Sequence, residues 1–110
     1  MTLLVDRLSP LQCLCETAQA LQEGGLDYIY LKNLKIRVAG QNHVVDALLC
    51  PMANTGYTTR LFLSHSFPQK GANWSVHQIL GRAWHTWSWN NVPADLTLLQ
   101  ILMCHLDALE

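Results

Sequence analysis

The clearest secondary-structure signal in this chain is YIYLKNLKIRVAGQNHVVDALLC, residues 28–50. Within it Leu34, Ile36 and Val38 alternate with polar neighbours, which is the period of a half-buried β-strand. The turn residues Gly40-Gln41-Asn42 follow, and a second alternating segment runs to Cys50-Pro51. The two segments predict consecutive strands joined by a short turn, an arrangement that makes them antiparallel.

A third alternating segment, from Thr59 to Ser64, follows the polar turn Asn54-Thr55-Gly56. Three such segments in succession predict an antiparallel meander of three to four strands. Residues 67–91 are rich in tryptophan and show no clear period, and Ser75 to Leu80 fits a short helix or a short strand equally well. This segment is therefore expected to be irregular.

Two helices are predicted to flank the meander. The first has Ser9 as its N-cap and Pro10 at its first helical position, and it ends at Gly24-Gly25. The last begins at Pro93 and is apolar on two faces. Its main stripe consists of Leu96, Leu99, Leu102, Met103, Leu106 and Leu109, and Leu98 and Ile101 form the second face. The sequence thus predicts a single α+β domain over residues 1–110.

Composition narrows the class of protein. The chain has 110 residues, half of them apolar, which is enough for one hydrophobic core. Its net charge is −1 with Lys and Arg scattered among acids, so nucleic-acid binding is not expected. No apolar run approaches the ~20 residues of a membrane-spanning helix, and the opening Met1 to Val5 lacks the features of a signal peptide. A cytoplasmic protein without membrane association is the expectation.

Metal and cofactor sites are not expected either. The four cysteines lack a Cys-x-x-Cys pair, and the five histidines lack the short spacings of structural zinc sites. Buried free thiols are the ordinary interpretation of such cysteines. They are Cys13, Cys15, Cys50 and Cys104.

Residues 81–91 hold three of the four tryptophans. Indole rings bury large areas, so Trp84 and Trp87 are expected to be core anchors, whereas Trp89 precedes the turn signal Asn90-Asn91 and is expected to be exposed to a partner. The candidate binding residues are Trp84, Trp87, Trp89 and His77. The weaker catalytic candidates are Cys50, as a nucleophile, and His85, as a general base.

The predicted order of elements resembles the ubiquitin-conjugating-enzyme (UBC) fold. Residues 87–93, WSWNNVP, with the Leu-rich helix after them, are similar to the tail of its eukaryotic members. Residues 81–88, GRAWHTWS, resemble the Gly-x-x-Trp-x-x-Trp-Ser run of a prokaryotic UBC-like family, whose genes lie beside those for ubiquitin-like modifiers, activating enzymes and JAB-type proteases. That family continues with a basic residue and a histidine, where this chain has Trp89 and Asn90.

The resemblance implies thioester chemistry on a cysteine several residues before the Trp, but this chain has no cysteine between Pro51 and Met103. The His-Pro-Asn turn of such enzymes is also missing, and residues 64–68, SHSFP, are the nearest remnant. The function expected from the resemblance is therefore noncatalytic binding of a modifier or its activating enzyme. Two alternatives stay open: an enzyme of that pathway using Cys50 or Cys104, and an unrelated α+β interaction module that forms a homodimer.

Overall fold

The computed structural model describes residues 9–52, 58–67, 74–87 and 92–109. A short 3-10 helix over Ser9–Cys13 precedes six strands and one α-helix. These elements are β1 (Thr17–Glu23), β2 (Leu26–Val38), β3 (Gln41–Cys50), β4 (Arg60–Leu63), β5 (Trp74–Ile79), β6 (Arg82–Trp87) and α1 (Leu98–Asp107). Within the described residues the strands form one antiparallel sheet in the order β1-β2-β3-β4-β6-β5.

The predicted helix-first, UBC-like α+β fold is therefore wrong. The segment expected to be the first helix is the 3-10 helix followed by β1, which pairs with β2 from Thr17↔Lys32 to Glu23↔Leu26. Gly24 and Gly25 both have positive φ, 61° and 79°, as a type I′ hairpin turn requires, and do not cap a helix. Pairing with β2 outweighs the helical spacing of the apolar residues. Leu11 does pack into the core as expected, although from the 3-10 helix.

The central meander is confirmed. The segments containing Tyr28, Val45 and Leu61 pair antiparallel as β2, β3 and β4. The Trp-rich segment is more regular than expected, because β5 and β6 form a hairpin whose turn, Leu80-Gly81, again has positive φ at both residues, 54° and 75°. Tight turns thus hold the β1–β2 and β5–β6 hairpins in register.

The sheet has two faces with different cover. The face packed against α1, named the helix face, carries a cluster that includes Leu31, Leu49, Leu63 and Trp87. The opposite face, named the open face, carries a cluster without residues of α1: Tyr28, Leu48, Cys50, Phe62, Ile79 and Trp84. A bulge between Leu31 and Leu34, with Asn33 at φ 52°, shifts the register of β2 and keeps both halves of the strand apolar toward the helix.

The C-terminal helix exists as predicted but begins later. Thr97, not Pro93, lies before its first turn: the Thr97 hydroxyl accepts from the Gln100 N–H while the Gln100 side chain accepts from the Thr97 N–H, which is a capping box. Its buried face consists of Leu98, Ile101, Leu102, His105 and Leu106. Met103, placed in the main stripe from the sequence, is 41% exposed.

Candidate functional site

The open face contains a half-open apolar cleft of about 210 Å³. It is lined by Leu21, Tyr30, Leu48, Leu80, Arg82 and Trp84. These residues come from β1, β2, β3, β6 and the β5–β6 turn, so the cleft forms only when distant parts of the chain meet. Two of the lining residues are buried in the sheet: Leu48 is 0% exposed and Trp84 is 2% exposed.

Trp84 is held in place by three contacts. Its indole N–H donates to the Ile79 carbonyl at 3.2 Å, and its ring meets Tyr30 edge-on at 6.2 Å between centroids. The Arg82 guanidinium lies 4.6 Å from the centre of the indole ring, a cation–π distance. The ring is therefore fixed in orientation, and with 2% of its surface exposed it forms part of the cleft wall behind Tyr30 and Arg82.

Arg82 forms the polar rim of the cleft. Its guanidinium donates to the Asp46 carboxylate at 3.2 Å, and Asp46 also accepts from the Asn33 N–H at 3.0 Å. Burial alone raises the pKa of Asp46, but the hydrogen bonds from Asn33 and Arg82 outweigh it and hold that pKa below its usual value. Asp46 is thus an anion that fixes the position of Arg82.

A second carboxylate, that of Glu23, joins two elements that line the cleft. The Glu23 side chain accepts a 2.6 Å hydrogen bond from the Leu80 backbone N–H. Leu80 is a non-glycine residue in the left-handed region, and such residues are uncommon. This contact joins the end of β1 to the β5–β6 turn and fixes the distance between two walls of the cleft.

The tryptophans chosen as candidates from the sequence do not lie in one site. Trp84 and Trp87 are both buried, as expected, but they lie on opposite faces because they differ by three positions along an extended strand. Trp87 packs in the helix face, where its ring contacts Trp74 and His105 at 5.2 and 6.3 Å between centroids. Trp89 lies outside the described residues, so its exposure stays a prediction.

The two candidate histidines also lie on different faces. His77 is the cross-strand partner of Trp84, its ring packs on Phe62 at 5.5 Å, and its Nε2 lies 3.1 Å from the Ser75 hydroxyl. Burial, and then the nearby charge of Arg60, lower the pKa of His77. His85 is on the helix face, paired across strands with Val76 and Leu63. Both positions are those of packing residues.

Cys50 is placed unfavourably for thioester chemistry. It is fully buried in the open-face cluster, and its thiol lies 3.5 Å from the Met52 carbonyl as a hydrogen-bond donor. A nucleophile that accepts a protein modifier must be exposed as a thiolate, which a thiol enclosed in apolar side chains is not. Cys104 is half-buried and packs against the helix-face cluster. No group of three or more metal-ligating side chains occurs in the described part of the chain.

A second, larger cleft of about 380 Å³ lies beside the start of α1. It is lined by Ala20, Leu21, Gln22, Asp27, Ile29, Pro51 and Leu98. Its two long polar side chains bond to each other, Gln22 to Asp27 at 2.6 Å, so they are already paired. The cleft on the open face has the more specific combination of a fixed aromatic ring and a charged rim.

Sequence reasoning identified Trp84 but missed Tyr30, Leu80, Arg82 and Asp46. The signal for Arg82 was present, because Arg82 and Trp84 share a face once residues 82–87 are recognised as a strand. Gly81, as a turn residue directly before residue 82, was the sequence feature that indicated the start of that strand. Asp46 and Tyr30 could not be placed without the pairing of β2 with β3.

No family model, curated protein or solved structure matches the chain. The resemblance of residues 81–88 to the prokaryotic family therefore remains a resemblance of residues. None of the helices within residues 9–52, 58–67, 74–87 and 92–109 has the length and apolar character needed to cross a membrane.

Proposed function

We propose that this chain is a noncatalytic protein-binding domain that receives an apolar side chain of its partner in the cleft of the open face. The observation that carries the proposal is the cleft itself, an apolar depression with a fixed indole on the sheet face that α1 does not cover. Rigid aromatic residues beside an arginine are the usual composition of binding hot spots.

The size of the cleft favours a protein partner over a small molecule. Sites for cofactors and drug-sized ligands typically enclose about 300–1,000 Å³. A half-open volume of about 210 Å³ holds the side chain of a residue such as Leu or Phe. The rest of the partner would then lie across the sheet.

An enzymatic role has weaker support. Cys50 is enclosed, His85 lies on the opposite face from the cleft, and His77 packs on an aromatic ring. General acid–base or nucleophilic catalysis needs such groups within hydrogen-bond reach of a substrate. Because the positions of these three groups do not favour catalysis, we propose binding as the activity of the open face.

The resemblance of residues 81–88 leads to a narrower form of the same proposal, in which the class of partner is specified. Trp84 belongs both to the motif of that run and to the cleft, which favours a ubiquitin-like modifier or its activating enzyme as the bound protein. A cytoplasmic location is part of this narrower proposal. A homodimer is the alternative partner.

The test compares two apolar-to-polar changes on opposite faces. Leu80→Asn removes a wall of the cleft at a backbone conformation that Asn tolerates, and Val76→Thr changes an exposed residue of the helix face. Both variants are expected to fold, as melting curves would show. The full-length chain is used to isolate its partner from the native host, and the purified partner is titrated against each variant.

Loss of the partner with Leu80→Asn and its retention with Val76→Thr would support the proposal. Equal retention by both variants would contradict it. The identity of the partner tests the narrower form, and sedimentation of the chain alone tests the homodimer.

A further inference from the structure

The basic residues of the described chain are all on one face. Five of the seven Lys and Arg residues lie within the described ranges, and alternation along the strands places each of them on the open face. They are Lys32, Lys35, Arg37, Arg60 and Arg82. Arg60 is buried beside Phe62, and Arg82 forms the one ion pair found among the described residues. Lys32, Lys35 and Arg37 are exposed and form no ion pair within that part of the chain.

Three acids close to these bases accept hydrogen bonds, and a fourth, Asp107 at the end of α1, lines a small cleft together with Lys35 and Arg37. Asp46 binds Arg82 and the Asn33 N–H, Glu23 binds the Leu80 N–H, and the Glu16 carboxylate accepts from the Asn33 side chain at 2.6 Å. Lys32, Lys35 and Arg37 are therefore not ion-paired with a described carboxylate, although Glu16 and Glu23 keep their negative charge. Their cationic groups can pair with carboxylates of a partner.

The bases are close enough to act as one charged strip. Residues two apart on a strand are separated by about 7 Å, which is below the screening length of about 8 Å at physiological ionic strength. Lys35 and Arg37 have this spacing, and Lys32 lies within the bulge of β2. Val44, 60% exposed, is the cross-strand partner of Lys35 and adds an apolar contact within the strip.

The strip continues from the cleft. Tyr30 lines the cleft, and Arg37 lies seven residues further along the same strand, a distance of roughly 20 Å. We infer that the open face recognises an acidic, extended protein segment that anchors one large apolar side chain in the cleft and places its carboxylates against Lys32, Lys35 and Arg37. This inference rests on the proposed function and adds the chemistry of the partner.

Two other polyanions are less well matched. Nucleic-acid bases stack on exposed aromatic rings, but Trp84 and Tyr28 are only 2% and 4% exposed. An anionic membrane surface is bound through several inserted apolar side chains as well as basic ones, and among the described residues of the open face Val44 is the one large apolar side chain that is exposed. RNA and anionic vesicles therefore serve as competing ligands in the test.

The test titrates the full chain with three defined peptides of about ten residues and follows backbone amide shifts by NMR. The first peptide has one Leu followed by a run of Glu, the second replaces each Glu by Lys, and the third replaces the Leu by Ser. The first peptide is expected to bind at least about tenfold more tightly than the other two, and to weaken as salt increases. Its shifts are expected at Leu80 to Trp84 and at Lys35 to Val44.

Matched variants separate local charge from net charge. Two double variants each change the net charge by −2. The first, Lys35→Gln with Arg37→Gln, lies in the strip. The second, Gln12→Glu with Gln78→Glu, lies outside it. The first double variant is expected to weaken binding of the acidic peptide about tenfold. The second is expected to leave the affinity for that peptide within about twofold of the unmodified chain.

Charge-independent binding that Leu80→Asn abolishes would overturn this inference while leaving the proposed function intact. Absence of binding by all three peptides would also overturn the inference, since the partner titration tests the proposed function separately. Tighter binding of single-stranded RNA or of phosphatidylserine vesicles than of the acidic peptide, lost in the Lys35/Arg37 pair, would replace the protein partner by that class.

Discussion

Trp84 and Trp87 lie three residues apart on β6 and are buried to the same degree, yet their surroundings differ. Trp87 is enclosed between the sheet and α1, within a row of rings that includes Trp74 and His105. Trp84 is covered by Tyr30 and by the guanidinium of Arg82, with a half-open cleft beside it. Trp87 is buried under a helix and is therefore part of the core. Trp84 is buried under side chains at the rim of a cleft, where a partner can bind beside it. The predictions below test this difference between the two faces.

Truncation of the helix-face core should have the largest effect. Leu102 is fully buried, so Leu102→Ala is expected to lower the free energy of unfolding by about 2–5 kcal/mol. Met103, the next residue, is exposed, and Met103→Ala is expected to cost less than about 1 kcal/mol. Chemical denaturation of both variants measures the difference. Equal losses would mean that α1 does not pack on the sheet as described.

Protonation of His105 should be the next largest effect. The imidazole is 1% exposed and its Nε2 lies 2.9 Å from the Thr59 hydroxyl, which donates to the Val92 carbonyl and so accepts from the imidazole. Burial lowers the pKa of His105 to about 4, from an ordinary value of 6.5. Between pH 6.5 and 4 the imidazole of His105 binds a proton in the unfolded chain but not in the folded chain. The free energy of unfolding is therefore expected to decrease as pH falls from 6.5 to 4.

The decrease that His105 contributes is about 3 kcal/mol, at 1.36 kcal/mol for each unit of pKa shift. Denaturation curves at successive pH values measure it, and His105→Gln, whose amide can still donate to Thr59, serves as the control. The lowered pKa of His77 contributes in the same direction below pH 6.5, and that of Asp46 contributes as pH approaches its usual value of 3.8; both contributions remain in His105→Gln. A pH dependence that is unchanged in His105→Gln would show that another group is responsible.

The open-face ion pair should contribute less to stability than either helix-face group. The Arg82 and Asp46 side chains are 45% and 23% exposed, and exposed pairs are worth about 0.2–1 kcal/mol. Asp46→Asn retains an acceptor for the Asn33 N–H and is expected to lower the free energy of unfolding by no more than about 1 kcal/mol. A much larger loss in denaturation experiments would place this pair in the core and not on a rim.

The smallest effect on stability is expected for Leu80→Asn. Asn accepts a positive φ more readily than Leu, which offsets the lost apolar contact, so the free energy of unfolding should change by less than about 1 kcal/mol. Partner affinity should nevertheless decrease by about tenfold or more, because an apolar anchor would lose one wall of its pocket. Unfolding of this variant would instead make Leu80 a structural residue.

The sequence predicted the parts of the fold whose evidence is local. Alternation in β2, β3 and β4 and the short turns between them were sufficient for the meander, and the apolar spacing of residues 98–107 was sufficient for α1. Gly24-Gly25 was ambiguous, because two consecutive glycines fit both a helix C-terminus and a type I′ turn. Pairing with β2 decides between them, and that contact is not visible in the local pattern.

The candidate site was predictable only in part for the same reason. Trp84 is conspicuous by composition, but its separation from Trp87 depends on residues 82–87 being extended. Leu21 and Leu80 meet through a contact between Glu23 and a backbone N–H 57 positions away in the chain. Such long-range contacts carry no periodic signal.

The most direct measurement of the central claim uses methyl-labelled full-length chain and its purified partner, without any mutation. We expect the partner to shift the NMR signals of the open-face methyl groups of Leu21, Leu48, Leu80 and Val44, and to leave those of Leu102 and Leu106 on α1 unchanged. Shifts confined to α1 and the helix face, with the open-face methyl groups unaffected, would contradict that claim.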